Sequence, residues 1–308
     1  MSKKARRKKK FAERMANIEA KIAAGSTTAA AQPFAVPFVE RPFAGFAREV
    51  ELVAMRELLP AATLKMVTTD AYGAKPVTFV TMLPRNAQAL IHEDGTTLVA
   101  LNTRTRSGNA AHDLAVVLEK VLEMTGPATV EGVDTRTPAA ALTDIIDPAG
   151  VGEFQLHRDF EFWLDSSLER TAEVEDAIAQ SREGIVPMGE VPGAKGAYWA
   201  IMNAPFLRWI LGEDEDAAWD ALARLQAANQ LHIGEGTKFI GAFRACGLVA
   251  PVFEMPTEMG NEETLSADLA EPVAALRDAY QAALQGEALN AQQRRARAGL
   301  VSRQVSLR

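Results

Sequence analysis

The chain has 308 residues, 48% apolar and 24% charged, enough to bury one large core or two moderate ones. A single cysteine, Cys246, excludes a disulfide scaffold, and no apolar run nears the ~18 residues of a membrane span. The formal charge of −7 conceals a separation: residues 1–10 hold seven basic groups and residues 288–308 hold five, neither with any acid, which leaves −19 on residues 11–287.

The seven cations, Lys3, Lys4, Arg6, Arg7, Lys8, Lys9 and Lys10, form the first candidate site. Such a run engages the phosphates of RNA, the ribosome or another polyanion by counterion release, with little sequence preference. It leads into FAERMANIEAKIAAG, charged throughout where a secretory signal needs an apolar stretch, so the expected compartment is the cytoplasm. Phe11, Met15, Ile18 and Ile22 form a helical stripe that would suit an anionic lipid surface, but Glu13 and Glu19 among the basic residues of the opposite face weigh against a membrane partner. A solvated tail is the third possibility. GSTTAAAQP reads as a linker, and residues 1–32 are taken together as arm, helix and linker.

From Pro33 the chain becomes rich in Pro and Phe, and PFAVPFVERPFAGF is expected to lie as an extended strap docked through Phe34, Phe38 and Phe43. A helix follows from Ala47 to Leu59, then strands at ATLKMVTT, VTFVTML and TTLVALN. Leu114, Val117, Leu118, Val121 and Leu122 give residues 110–124 the clearest helical period. Residues 153–165 alternate with period two and predict a half-buried strand, with Phe154, Leu156, Phe160, Phe162 and Leu164 on one side. The second half offers helices near 171–182, 214–228 and 268–284 and strands at IVPMGEV, AYWAIM and LVAPVFEM. FLRWIL is an apolar run, Glu254 to Glu271 an acidic loop, and ALNAQQRRARAG a helix able to pair with the acidic body.

Strands with intervening single helices and evident hairpins predict an α+β fold of mostly antiparallel sheets. The expected division is 33–170 and 171–287 for two similar α+β halves, with 288–308 as a basic C-terminal segment.

Chemical motifs are weak. GEVPGAKG at 189–196 has Ala194 and Gly196 where a phosphate loop needs Gly and a hydroxyl, and GEGTKFIG at 234–241 misses the dinucleotide spacing. His157 and Asp159, two apart on the expected strand, are a metal-ligand pattern without a third member nearby, so no metal and no cofactor are expected. Cys246 reads as a buried thiol. The best small-ligand site is RTRSGN, where Arg104, Arg106, Ser107, Gly108 and Asn109 precede a helix N-terminus and could converge on an anion. The competing reading has Ser107 or Asn109 capping that helix, with both arginines in solvent.

Taken together, PFVERPFAG, ELLPAAT, LNTRTRSGNAAHDLA, FEFWLD, DEDAAWDALARLQAA, GEGTKFIGAFRACGLVAPVFEMP and the ending AQQRRARAGLVSRQVSLR resemble an actinobacterial family of unknown function. Members sometimes carry the labels preprotein translocase ATPase-like or topoisomerase-like. This sequence lacks the phosphate loop and the cysteines of a translocase ATPase, so the resemblance implies a shared fold and no catalytic activity. The expectation is a non-enzymatic binding module whose basic arm contacts a polyanion. The alternatives are an anion-binding or enzymatic domain at Arg104, Arg106 and Ser107, or a membrane-peripheral factor.

Overall fold

A computed structural model describes residues 35–302. Tertiary contacts divide the chain after Ala35, and every element below belongs to Val36–Arg308. The seven N-terminal cations, the stripe from Phe11 to Ile22, Phe34 and the final RQVSLR lie outside the described residues.

The strap docks through Phe43 and Phe46, both buried, while Phe38 stays 76% exposed, so one of the expected anchors is a surface residue. Arg41 fixes the strap by a bidentate pair, Nε to Glu49 Oε1 at 2.6 Å and Nη2 to Glu49 Oε2 at 2.8 Å. Glu49 opens α1 (Glu49–Glu57), whose Val50, Leu52, Val53 and Met55 are buried.

The first sheet is built from β1 (Ala62–Val67), β2 (Pro76–Val80), β3 (Ala89–Ile91), β4 (Thr97–Ala100), β5 (Ala128–Val130) and β6 (Phe154–Leu156), in the order β5-β3-β4-β2-β1-β6. Every pair is antiparallel except β2 and β4, which run parallel with Val80 opposite Ala100. Helix α2 (Ala110–Leu122) follows β4, and its Leu114, Val117, Leu118 and Val121 enter the core as their spacing predicts. A single turn, α3 (Leu142–Ile145), precedes β6.

The strand expected over 153–165 ends early. After β6, the His157 N–H still bonds to Ala61 O at 2.8 Å, but Asp159 Oδ1 then accepts the Glu161 N–H and a 3-10 turn forms at Glu161–Trp163. Trp163 donates Nε1 to Met82 O at 2.8 Å and stacks on Phe160 with centroids 4.0 Å apart. Phe162 and Trp163 thereby cover the outer sheet face at Val80, Leu98 and Ala100. An aromatic-rich strand has folded over to cap a sheet face it could not cover if it remained in the sheet.

The second sheet contains β7 (Met188–Glu190), β8 (Ala197–Ile201), β9 (Pro205–Trp209), β10 (Lys238–Ala245) and β11 (Leu248–Glu254), all antiparallel in the order β10-β11-β9-β8-β7. Helix α4 (Ala172–Gly184) precedes it, α5 (Glu215–Ala227) interrupts it, and α6 (Leu265–Leu284) and α7 (Ala291–Ser302) follow. Both faces are buried, which explains why its strands read as apolar runs. Trp199, Leu207, Trp209 and Phe253 pack against α5, α6 and α7, while Tyr198, Ala200, Phe243 and Ala250 join α1 and the first sheet in one continuous core. FLRWIL is thus largely β9, and β10 occupies a stretch the sequence marks only by its glycines. The acidic segment from Glu254 to Glu271 is not all loop, since α6 already begins at Leu265 to bury Leu265 and Leu269.

The fold is α+β, with one mixed and one antiparallel sheet. Among the described residues no helix is long and apolar enough to cross a membrane.

Candidate functional site

Because β2 and β4 are parallel neighbours, the chain leaves both at the same end of the sheet. Leu101 N donates to Val80 O at 2.8 Å and Asn102 N to Thr81 O at 3.0 Å, carrying the pairing into both loops. The loop after β2 bears Arg85, and the loop after β4 bears Arg104 and Arg106 before it enters α2. Gln88, only 2% exposed, ties the loops together, its carbonyl accepting the Ala100 N–H at 2.9 Å and its Nε2 donating to Thr105 Oγ1 at 2.8 Å. Two loops that leave the same end of neighbouring strands lie side by side, so side chains from both can reach one ligand.

Arg85, Arg104 and Arg106 are exposed and make no side-chain hydrogen bond or ion pair with the described residues. Elsewhere Arg41, Arg158, Arg182, Arg244 and Arg297 each meet a carboxylate, Arg224, Arg294 and Arg295 bond to backbone carbonyls, and Arg208 is half-buried with its Nε unpaired. Arg85 and Asn86 both adopt left-handed backbone, at φ 55° and 58°, a costly pair for residues with side chains.

The other expected members of this site serve the loop itself. Ser107 N–H points at both carboxylate oxygens of buried Asp113, at 3.2 and 3.1 Å, and Ser107 Oγ accepts the Asn109 N–H at 3.2 Å. Asn109 caps α2, its Oδ1 accepting the His112 N–H at 3.2 Å. Gly108, at φ 95°, accepts the Val39 N–H at 3.4 Å. A carboxylate of the chain thus already lies at the start of the helix, and the open donors are the guanidinium groups. The exposed ring of Phe38 reaches the same loop, its Cδ2 lying 3.6 Å from where a β-carbon would stand on Gly108.

The remaining sequence candidates are dispersed or closed. His157 shares a hydrogen bond of 2.9 Å with Thr63 Oγ1, and burial lowers its pKa, whereas Asp159 pairs with Arg182 at 2.8 Å. No group of three His, Cys, Asp or Glu side chains among the described residues is placed to hold a metal. Residues 191–196 form the turn between β7 and β8, with Gly193 and Gly196 at positive φ. Cys246 sits in the two-residue turn between β10 and β11, where burial and the Glu57 charge push its thiol up to about 12.

A cleft of about 390 Å³ opens between the start of α1, the end of β9 and α6. Its polar groups are matched to one another. Lys195 Nζ donates to Ala47 O at 3.1 Å, Tyr280 OH donates to Glu213 Oε2 at 2.9 Å, and Arg277 Nη1 donates to Gly193 O at 2.5 Å.

A match to the model of a family of unknown function, DUF5926, runs over residues 42–308. The chain belongs to this family. No curated protein and no solved structure matches it. The family match spans both arginine loops but begins after Phe38. The sequence offers Arg104 and Arg106 as candidates and Phe38 as a strap anchor, but gives no sign of Arg85 or Gln88. Arg85 lies nineteen positions before Arg104, and only the parallel pairing of β2 with β4 brings the two loops to one end of the sheet.

Proposed function

We propose that the protein is a non-enzymatic binding module for a phosphate-bearing polyanion, with Arg85, Arg104 and Arg106 as donors on the folded body and the seven cations of residues 3–10 as a further contact. The observation that carries this reading is the set of three exposed guanidinium groups without carboxylate partners, in a chain whose residues 11–287 total −19. The two loops are shaped by the Gln88 side chain on Thr105 and by the Asp113 carboxylate on the Ser107 N–H, and their arginines meet no carboxylate among the described residues. Planar guanidinium groups suit phosphate oxygens by paired N–H donation. The acidic remainder disfavours loose, nonspecific adhesion and confines attraction to the basic regions.

Elution from immobilised heparin tests this. In the full chain, Arg85→Gln, Arg104→Gln and Arg106→Gln together should lower the salt needed for elution. Replacing the seven N-terminal cations by Gln should lower it separately. If neither set of substitutions changes elution, the polyanion reading is lost.

A further inference from the structure

Phe38 is the most exposed large apolar side chain among the described residues, and its position is fixed rather than free. The Val39 N–H bonds to Gly108 O, and the Phe38 ring edge packs over Gly108 in the loop that carries Arg104 and Arg106. Gly108 is set by its φ of 95°, and a β-carbon there would meet the ring at ordinary van der Waals distance. An aromatic ring in water, held against a loop with two unpaired arginines and tied to a second loop with another, combines an apolar stacking surface with anion donors. Heparin uses the arginines but has no base to stack, and a single Phe buries too little apolar area to hold a lipid surface. Duplex nucleic acid offers its phosphates while its bases are already stacked. Single strands present phosphates and unstacked base faces together, and proteins that bind them pair aromatic platforms with basic tracks.

We infer that the loop surface at the carboxyl end of β2 and β4 takes single-stranded nucleic acid, with a base stacked on Phe38 and neighbouring phosphates on Arg85, Arg104 and Arg106. This rests on the polyanion reading above and specifies its ligand. The ring lies in water, so its replacement leaves the core untouched, and the strap keeps its anchors at Phe43 and at the Arg41–Glu49 pair.

The test uses the full chain and four probes: fluorescent oligouridylate of about 12 nucleotides, within the span of a single-strand site, a duplex of equal length, heparin, and vesicles containing phosphatidylserine. The chain should bind oligouridylate more tightly than duplex. Phe38→Ala should weaken oligouridylate by about 5- to 150-fold, the range for loss of one stacked base, and leave heparin unchanged. Phe38→Trp should restore affinity, with indole fluorescence quenched on binding. Equal binding of oligouridylate by the chain and Phe38→Ala, or preference for duplex, overturns the inference, as does tighter Phe38-dependent binding to vesicles. Loss of heparin binding in the arginine variant with no effect of Phe38→Ala leaves the polyanion reading standing and removes only the single-strand assignment. If the arginine variant changes neither heparin nor oligouridylate binding, both fail.

Discussion

Arg297 in α7 places Nη2 2.5 Å from Asp216 Oδ1 in the first turn of α5, and its Nε lies 2.8 Å from Asp220 Oδ1 one turn further on. The basic C-terminal segment is therefore partly folded onto the acidic body, with Leu300 buried beside it among the side chains of α5 and α6. One of the five arginines of that segment is thereby paired with the acidic body. The two loops of the first sheet keep their cations unpaired.

Arg297 is about one-third exposed and Asp216 almost fully so, and their pair is expected to contribute only about 0.2–1 kcal/mol. Urea unfolding of Arg297→Gln, Asp216→Asn and the double variant should give a coupling of that size at low salt. It should shrink towards zero near ~1 M salt, where exposed charges are screened within a few ångström. A coupling that is insensitive to salt would contradict the pairing.

The turn between β10 and β11 is sensitive to its sequence. Cys246 and Gly247 have φ 45° and 77°, the signature of a type I′ hairpin, for which Asn-Gly is the favoured pair. A β-carbon on Gly247 would stand 2.8 Å from Arg41 Cβ and 3.0 Å from Glu40 O, where the strap crosses the turn. Gly247→Ala is expected to cost about 1–3 kcal/mol, and Cys246→Asn to leave the urea midpoint level or raise it.

The Cys246 thiol itself should be sluggish. With its pKa raised to about 12 by burial and by Glu57, whose Oε1 lies 3.5 Å from Sγ, thiolate is scarce at neutral pH. The higher nucleophilicity of such a thiolate offsets only part of that loss. Alkylation by iodoacetamide near pH 8 should run at least about tenfold slower in the native chain than in urea. Glu57→Gln should quicken the native reaction.

His157 gives the chain a pH dependence in the mildly acidic range. Burial beside Phe162 lowers its pKa against the opposing charges of Asp159 and Glu161. Between that lowered value and the ordinary value near ~6.5, the unfolded chain holds more protons than the folded one, so stability rises with pH and is lost as pH falls. Glu190, raised by burial and by Glu51, contributes with the opposite sign. The effect is therefore read as a difference: His157→Gln should flatten the slope of stability against pH relative to the unaltered chain, and parallel slopes would refute it.

The helices were the most legible part of the fold, because Leu114, Val117, Leu118 and Val121 repeat at the spacing of one helix face and are buried on it. Strands of the second sheet were legible as apolar runs, though not their pairing, and β10 was hidden because Gly241 and exposed Lys238 and Arg244 interrupt its pattern. The failure at 153–165 is instructive, since alternation alone cannot tell a strand from a turn whose aromatic rings stack on one another. For the site, Arg104 and Arg106 could be read from RTRSGN, and Asn109 proved to be the helix cap. Arg85 could not, because no local signal in PRNAQ predicts that β2 pairs in parallel with β4.

The central claim is that the three loop arginines meet phosphates, and the salt dependence of binding measures this most directly. Oligouridylate affinity should be followed by anisotropy across a range of salt concentrations for the full chain and for the Arg85→Gln, Arg104→Gln, Arg106→Gln variant. Each phosphate contact on a single strand contributes about 0.7 to the slope of log affinity against log salt. The variant should therefore lose about 2 from that slope along with much of its affinity. An unchanged slope would show that these arginines touch no phosphate and would contradict the account.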